Sequence, residues 1–326
     1  MLQTTASLPF HPDIVDACAL LESSAGYIPT PLLRLTIDDR TIFIKDERDR
    51  FGLGSFKALG GIYAVARLAT PGARIICASA GNHGAGVAAG AARIGAAAQI
   101  ILPAGTQASF AERIERLGAK VQLSSGDYDT ACAEAREAAA ATGAIWLPDG
   151  DPSPDAAAPP FVMAGYQVLA GEIRDECERR GEWPAHVFVQ AGVGGLAAAV
   201  AHHIRARWPV QPRITVVEAA STPCLAASAA AGRPVTVTGP RSTMGRLDCP
   251  VPSWIAWRVL SVLDVAYATV TDTQAEAASL DLAERRLATT TSGAAGYAAL
   301  RASGDPGPAL VILTEASLPS DERLPQ

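Results

Sequence analysis

The sequence predicts an α/β protein with open, parallel-rich sheets covered by helices, divided into two domains. Short apolar runs bounded by turn residues alternate with longer helical segments along the chain, the pattern of strands joined by helical crossovers. The 326 residues are 49% hydrophobic and 18% charged, a globular composition long enough for two cores. Alanine and glycine are plentiful and aromatics make up 6%, which suits helices packed closely on a sheet. The expected division is 1–69 with 161–326 as the large domain and 70–160 as the small one.

In chain order, residues 1–40 read as irregular apart from a helix near 14–23. Pro29 and Pro31 bracket an extended Thr30. Residues 41–45 form a strand pattern and 46–54 a charged, glycine-containing loop. Ser55 is placed to cap a helix over 56–68, which puts Lys57 in its first turn. Strands follow at 74–78, 98–103, 120–123 and 144–147, with helices at about 84–94, 108–117 and 127–142 between them. The Pro-, Asp- and Ala-rich stretch 149–160 reads as a connection. Beyond it come a helix at 161–180, a strand at 186–190 and a helix through 206. A strand at 213–218, helices at 222–231 and 253–262, and a strand at 268–270 precede helices at 272–287 and 292–302. The last strand is 309–313, ending at Thr314.

Lysine usage singles out one residue. The chain has 24 arginines and three lysines, Lys45, Lys57 and Lys120. A chain that carries its positive charge on arginine has little reason to set Lys57 amid Gly, Phe, Leu and Ala unless the amine is wanted. Arginine keeps its proton, whereas a lysine in partly apolar surroundings has a lowered pKa and can attack a carbonyl. That is the chemistry of a Schiff base. The alternative is a solvated helix lysine.

Two glycine-containing turns open helices after strands. Gly192-Val193-Gly194-Gly195-Leu196 can aim backbone N–H groups at an anion, with a helix N-terminus behind them, or can be a tight turn and no more. The turn lacks the dinucleotide spacing and the Walker lysine. Ser79-Ala80-Gly81-Asn82-His83-Gly84 is a second anion cradle, with a carboxylate as its natural guest, or a capped helix start.

Other features bound the function. A net charge of −6 without a basic block argues against nucleic acid and anionic membranes. No uninterrupted apolar run reaches transmembrane length, and Met1-Leu2-Gln3-Thr4-Thr5 lacks the regions of a signal peptide. Six scattered cysteines without paired metal spacing suggest reduced thiols, a cytoplasmic location and no metal site.

Taken together, these pieces resemble the fold-type II pyridoxal phosphate (PLP) enzymes of the threonine dehydratase and tryptophan synthase β class. Within that class the likeness is greatest to the diaminopropionate ammonia-lyases. The residues that carry it are Lys45-Asp46-Glu47, Arg50-Phe51-Gly52-Leu53, Phe56-Lys57-Ala58-Leu59-Gly60-Gly61 and Gly81-Asn82-His83-Gly84. Further on they are Met163-Ala164-Gly165-Tyr166, Gln190 to Gly194, Ser292-Gly293-Ala294 and Leu313-Thr314-Glu315. The likeness runs from about residue 26 to 316.

The resemblance implies PLP as cofactor, a small amino-acid substrate and a homodimer, with the large domain binding PLP and the small one gating the substrate. It implies that Lys57, beside Phe56, forms the Schiff base and moves the Cα proton. Asn82 meets the phenolic oxygen of the ring, Thr314 the pyridine nitrogen, and Gly192, Val193, Gly194, Gly195 and Leu196 the phosphate. Ser79, Ala80, Gly81 and His83 line the place of the substrate carboxylate. Asp149 matches an acidic residue that binds the β-ammonium of the substrate, or is a turn aspartate. Ala80 is a departure. The ammonia-lyases resembled have there an aspartate implied as base for the D-isomer, so activity on the L-isomer is expected. The chain ends about ten residues after Thr314, so no appended regulatory domain is expected.

The implied reaction is α,β-elimination on a small L-amino acid such as 2,3-diaminopropionate, giving an α-keto acid and ammonia. The alternatives are a serine- or threonine-type dehydratase, suggested by Ala80, and a β-replacement synthase. A nucleotide-binding module without covalent chemistry would leave Lys57, Asn82, the glycine turn and Thr314 as coincidences.

Overall fold

A computed structural model describes residues 10–79 and 81–317. Ala80 and the segment 1–5 considered above lie outside the described residues. The strands are β1 (Leu32–Ile37), β2 (Arg40–Asp46), β3 (Arg74–Ala78), β4 (Ala97–Leu102), β5 (Lys120–Leu123), β6 (Ile145–Trp146), β7 (His186–Gln190), β8 (Arg213–Ala219), β9 (Ala266–Val270) and β10 (Ala309–Leu313). The helices are α1 (Ile14–Glu22), α2 (Lys57–Leu68), α3 (Asn82–Ile94), α4 (Ala108–Arg116), α5 (Tyr128–Thr142), α6 (Ala158–Arg180), α7 (Gly195–Arg207), α8 (Cys224–Ala231), α9 (Trp254–Leu260), α10 (Asp272–Glu284) and α11 (Thr291–Ala302).

The strands form two sheets. One runs β1-β2-β10-β7-β8-β9, the other β5-β4-β3-β6. All pairings are parallel except β1 with β2. Alternate residues of the larger sheet face different helices. Val187, Val189, Leu310 and Ile312 join a core with α2, α6 and α7, which continues through α3 to Ile75 and Ile100 of the smaller sheet. Phe188, Val311 and Leu313 face α10 and α11. Both faces are therefore covered, as a parallel sheet requires. The Ala/Gly richness has a local cause where α2 crosses α3: a Cβ on Gly61 would stand 2.6 Å from the carbonyl carbon of Gly86.

Strand β1 corrects the irregular reading of residues 1–40. It is an edge strand joined to β2 by the two-residue turn Asp38-Asp39, with φ of 49° and 60°. Both residues are left-handed, as the favoured hairpin turn needs, but the pair lacks the glycine that usually signals it. Ser55 is also displaced from its expected role. Phe56 holds the N-cap position of α2 without a side-chain cap, while Ser55 Oγ accepts from the Lys57 N–H at 3.3 Å.

Part of the charged loop after β2 is interior. Glu47 and Arg50 are fully buried and Lys45 nearly so. Arg50 forks onto Glu47 Oε1 and Oε2 at 2.7 and 2.8 Å and onto both oxygens of Glu172 in α6 at 2.7 Å. Lys45 Nζ reaches Glu172 Oε2 at 2.5 Å and the Thr30 carbonyl at 2.7 Å. Two cations and two carboxylates thus neutralise one another away from water, which is how buried charge is tolerated. The Lys45-Asp46-Glu47 and Arg50-Phe51 motifs anchor the segment that leads to Lys57.

Among the described residues, no helix is long and apolar enough to cross a membrane, and no group of three or more His, Cys, Asp or Glu could hold a metal ion.

Candidate active site

The topology brings the loops of the site together. Strand β6 pairs with β3 although β4 and β5 lie between them in the chain. Loops leaving β3 and β6 therefore emerge side by side at a switch in strand order, where open α/β sheets bind ligands. In the larger sheet, β10 lies parallel between β2 and β7, so the segments leading to Lys57, Thr314 and the glycine turn emerge at one edge. Between these loops is a cleft of about 400 Å³. Phe56, Lys57, Ser79, Gly81, Asn82, His83, Asp149, residues 190–196 and Thr314 all line it.

Lys57 is paired with Asp149, its Nζ on Asp149 Oδ2. Burial works against the ammonium, but the Asp149 carboxylate outweighs it and raises Lys57 above the usual lysine range. The lowered pKa expected from apolar surroundings is thus reversed while Asp149 is in place. Burial would raise the Asp149 carboxyl in turn, yet Lys57 holds it down at about 2. Asp149 follows β6 and caps no helix. Its neighbour Gly150 is pressed on the glycine turn, where a Cβ would come within 2.6 Å of Val193 Cγ2.

Residues 191–194 connect β7 to α7, and Gly194 caps the helix at φ 101°. A side chain there would be strained whatever the space. A Cβ on Gly192 would stand 2.9 Å from both the Arg246 carbonyl oxygen and Cys249 Sγ. The bare backbone and the first N–H groups of α7, with Leu196 in its first turn, form an anion cradle.

In the other turn, Ser79 Oγ accepts from the Gly81 and Gly84 N–H groups at 3.0 and 2.8 Å. Two amides of that cradle are therefore taken, leaving the Ser79 hydroxyl proton and the first amides of α3. Gly81 has φ 139°, and a Cβ there would strike the Phe110 ring at 2.7 Å. His83 Nε2 sits 2.9 Å from the Leu147 carbonyl and ties the β3 loop to the β6 loop. Burial lowers its pKa, which keeps the ring neutral. Asn82 Nδ2 donates to Glu315 Oε2 at 2.5 Å, and Arg246 Nε reaches the same oxygen at 2.9 Å.

Three further residues of this cleft lie in the sequence motifs, which alone assign them no role. Glu315 joins Asn82, Arg246 and Thr290, whose Oγ1 donates to Glu315 Oε1 at 2.5 Å. Gln190 Nε2 donates to Thr314 Oγ1 at 3.3 Å. Tyr166 is 2% exposed, packs 4.8 Å from the Phe56 ring, and its hydroxyl has no hydrogen-bond partner among the described residues. Gly60 makes room for it, since a Cβ there would stand 2.5 Å from Tyr166 Cε1. A buried aromatic in a helix reads from sequence as core, which conceals the hydroxyl.

A buried lysine amine, glycine-built backbone at a helix N-terminus and a buried hydroxyl with no partner among the described residues, all in one cleft, fit a phosphorylated aldehyde such as pyridoxal phosphate. The family model for pyridoxal-phosphate dependent enzymes matches residues 23–315. The chain belongs to this family. Its cofactor is pyridoxal phosphate. The enzyme is 34% identical over 269 residues to the diaminopropionate ammonia-lyase of Salmonella typhimurium, covering 72% of this chain and 67% of the relative. The chain therefore spans about two thirds of that enzyme. It is 37% identical over 203 residues to the biosynthetic L-threonine dehydratase of Escherichia coli, covering 60% of this chain and 36% of the relative. The fold matches the crystal structure of diaminopropionate ammonia-lyase from Escherichia coli in complex with an aminoacrylate-PLP azomethine reaction intermediate. That match has a TM-score of 0.83 at 27% identity and covers 93% of this chain and 88% of the other. The enzyme stands with the lyases of its family.

Proposed function

We propose that this enzyme catalyses α,β-elimination of ammonia from a small L-amino acid with a β-amino group, 2,3-diaminopropionate being the best candidate, and that water then hydrolyses the resulting enamine to an α-keto acid and a second ammonia. The observation that carries this reading is the Lys57–Asp149 pair: an acidic side chain stands beside the reactive amine, inside the cleft. In the cofactor-free protein the Lys57 ammonium occupies Asp149; in the loaded enzyme, where Lys57 Nζ is committed to the cofactor, a β-ammonium group can take that place. Similarity to ammonia-lyases supports the same reading.

Bound pyridoxal phosphate supplies the electron sink that lets a Cα proton leave. The remaining chemistry falls to the chain. The Gly192–Gly195 backbone and the α7 N-terminus would hold the phosphate, with Leu196 in the same turn. Phe56 and Asn82 would line the ring, and Thr314 would meet its nitrogen. Ser79, Gly81 and His83 shape the place of the substrate carboxylate. When Asp149 turns to the β-ammonium, Lys57 loses its charge partner. Burial then favours the neutral amine, which is the form able to take the Cα proton. Asp149 keeps the leaving amino group protonated, so that it departs as ammonia with the electron pair of its bond to Cβ. With Ala80 between Ser79 and Gly81, no carboxylate at that position serves the D-isomer. The same reading takes 70–160, which contains the four-stranded sheet, as the substrate-gating domain, and a cytoplasmic homodimer as the working form.

A second reading, a serine or threonine dehydratase, draws on Ala80 and on the similarity to threonine dehydratase. Keto acid release from L- and D-2,3-diaminopropionate, L-serine and L-threonine separates the two. Turnover of L-diaminopropionate without its D-isomer is expected. Turnover confined to hydroxyamino acids would move the enzyme to the dehydratases.

A further inference from the structure

Gln190 ends β7, and its side chain reaches under the end of β10. Its Nε2 lies 2.9 Å from the Ile312 carbonyl oxygen, 3.0 Å from that of Gly293 and 3.4 Å from that of Ser292. Thr314 Oγ1 is 3.3 Å away. The amide oxygen Oε1 has no partner among the described residues and faces Gly296, where a Cβ would come within 2.9 Å of it. The two ends of an amide are told apart by their neighbours. Three carbonyl oxygens around one end demand the NH2 group, because the reversed amide would set Oε1 against all three. The Gln190 orientation is thus dictated by the backbone around it.

That orientation limits Thr314. Its oxygen faces an NH2 group that donates mainly to the Ile312 and Gly293 carbonyls and cannot accept, so the Thr314 proton is left for another direction. Thr314 is 5% exposed and lines the cleft. We propose that Gln190 is a positioning residue that fixes the Thr314 hydroxyl as a hydrogen-bond donor into the cleft, toward the ring nitrogen of the cofactor. This rests on the reading that Thr314 stands at that nitrogen. A hydroxyl held as donor meets the nitrogen lone pair and favours the unprotonated ring. A hydroxyl turned the other way would accept from a protonated one. The weaker electron sink suits an elimination, in which the electron pair released at Cα is carried off by the leaving group.

Neutron diffraction of the PLP-loaded wild-type enzyme, together with the NMR resonance of the cofactor ring nitrogen in wild type, Gln190→Met and Thr314→Val, tests the proposal. The expected map shows the Thr314 hydroxyl deuterium on the cleft side. The expected resonance lies in the unprotonated range in wild type and shifts toward the protonated range in Gln190→Met, with elimination slowed roughly fivefold. A deuterium on the Gln190 side, or a Gln190→Met resonance at the wild-type position, overturns the proposal. If Thr314→Val also leaves the resonance in place, the fault lies in placing Thr314 at the nitrogen. If Thr314→Val moves it and Gln190→Met does not, the fault lies with Gln190 alone. The neutron map needs no variant, so a Gln190→Met protein that fails to fold still leaves a decision.

Discussion

Lys57 at the start of α2 and Asp149 after β6 form an ion pair across the cleft, 92 residues apart in the chain. The pair joins a segment leaving the larger sheet to one leaving the smaller. It also sets the protonation of both groups: each holds the other charged against its burial. A substrate that takes over Asp149 would leave the Lys57 amine, once free of the cofactor, without its charge partner and therefore neutral, coupling substrate recognition to proton transfer.

Replacing Lys57 by Ala removes the amine without disturbing a helix interior, since alanine is a good helix former. The variant should fold, fail to form the Schiff-base absorbance with PLP, and release no keto acid from any substrate. Persistent Schiff-base absorbance would mean that another amine carries the cofactor.

The ion pair predicts a pH window for the cofactor-free protein. The Asp149 carboxyl, which burial would raise, is held instead at about 2 by Lys57, below its ordinary 3.8. Because the folded value is the lower one, the stabilisation is complete above about pH 4 and lost as pH falls toward about 2. Urea unfolding across that window should show wild type losing stability relative to Asp149→Asn. Parallel curves would show that the pair contributes nothing in solution.

Gly194→Ala puts a Cβ on a residue with φ 101°, within about 3.1 Å of Leu225 and Ala256 side-chain atoms. Strain of about 1–3 kcal/mol at the cradle is expected. PLP affinity, measured by absorbance titration, should fall roughly tenfold or more. Unchanged affinity would remove this turn from the phosphate site.

Glu172→Gln leaves Lys45 and Arg50 buried with one carboxylate between them. Burial would raise the Glu172 carboxyl, but Arg50 and Lys45 hold it down at about 2. Breaking such a network typically removes about 3–5 kcal/mol. A lowered urea midpoint with an unchanged slope is the expected result. A midpoint within experimental error of wild type would contradict the buried-network account.

Much of this fold could be read from the chain because periodicity and turns agree. The strands at 74–78, 120–123, 186–190 and 309–313 fall where the apolar runs lie. Strand β1 escaped because its turn, Asp38-Asp39, takes a left-handed conformation without glycine. The buried Lys45, Glu47, Arg50 and Glu172 group escaped because charge reads as surface, and because Glu172 comes from α6, far along the chain. In the cleft, Lys57 and the glycine turns were visible through residue usage. That Asp149 would stand against Lys57 was not visible, since it depends on β6 crossing back to β3. Tyr166 and Gln190 stand out through a hydroxyl without a partner among the described residues and through a side-chain orientation, and neither leaves a mark on composition.

The most direct measurement compares kcat/KM for L-2,3-diaminopropionate and L-serine in wild type and Asp149→Asn. If Asp149 holds the β-ammonium, the variant should lose about 100-fold or more on diaminopropionate and less than about tenfold on serine. Equal losses on the two substrates would contradict the account and leave Asp149 as a partner of Lys57 alone.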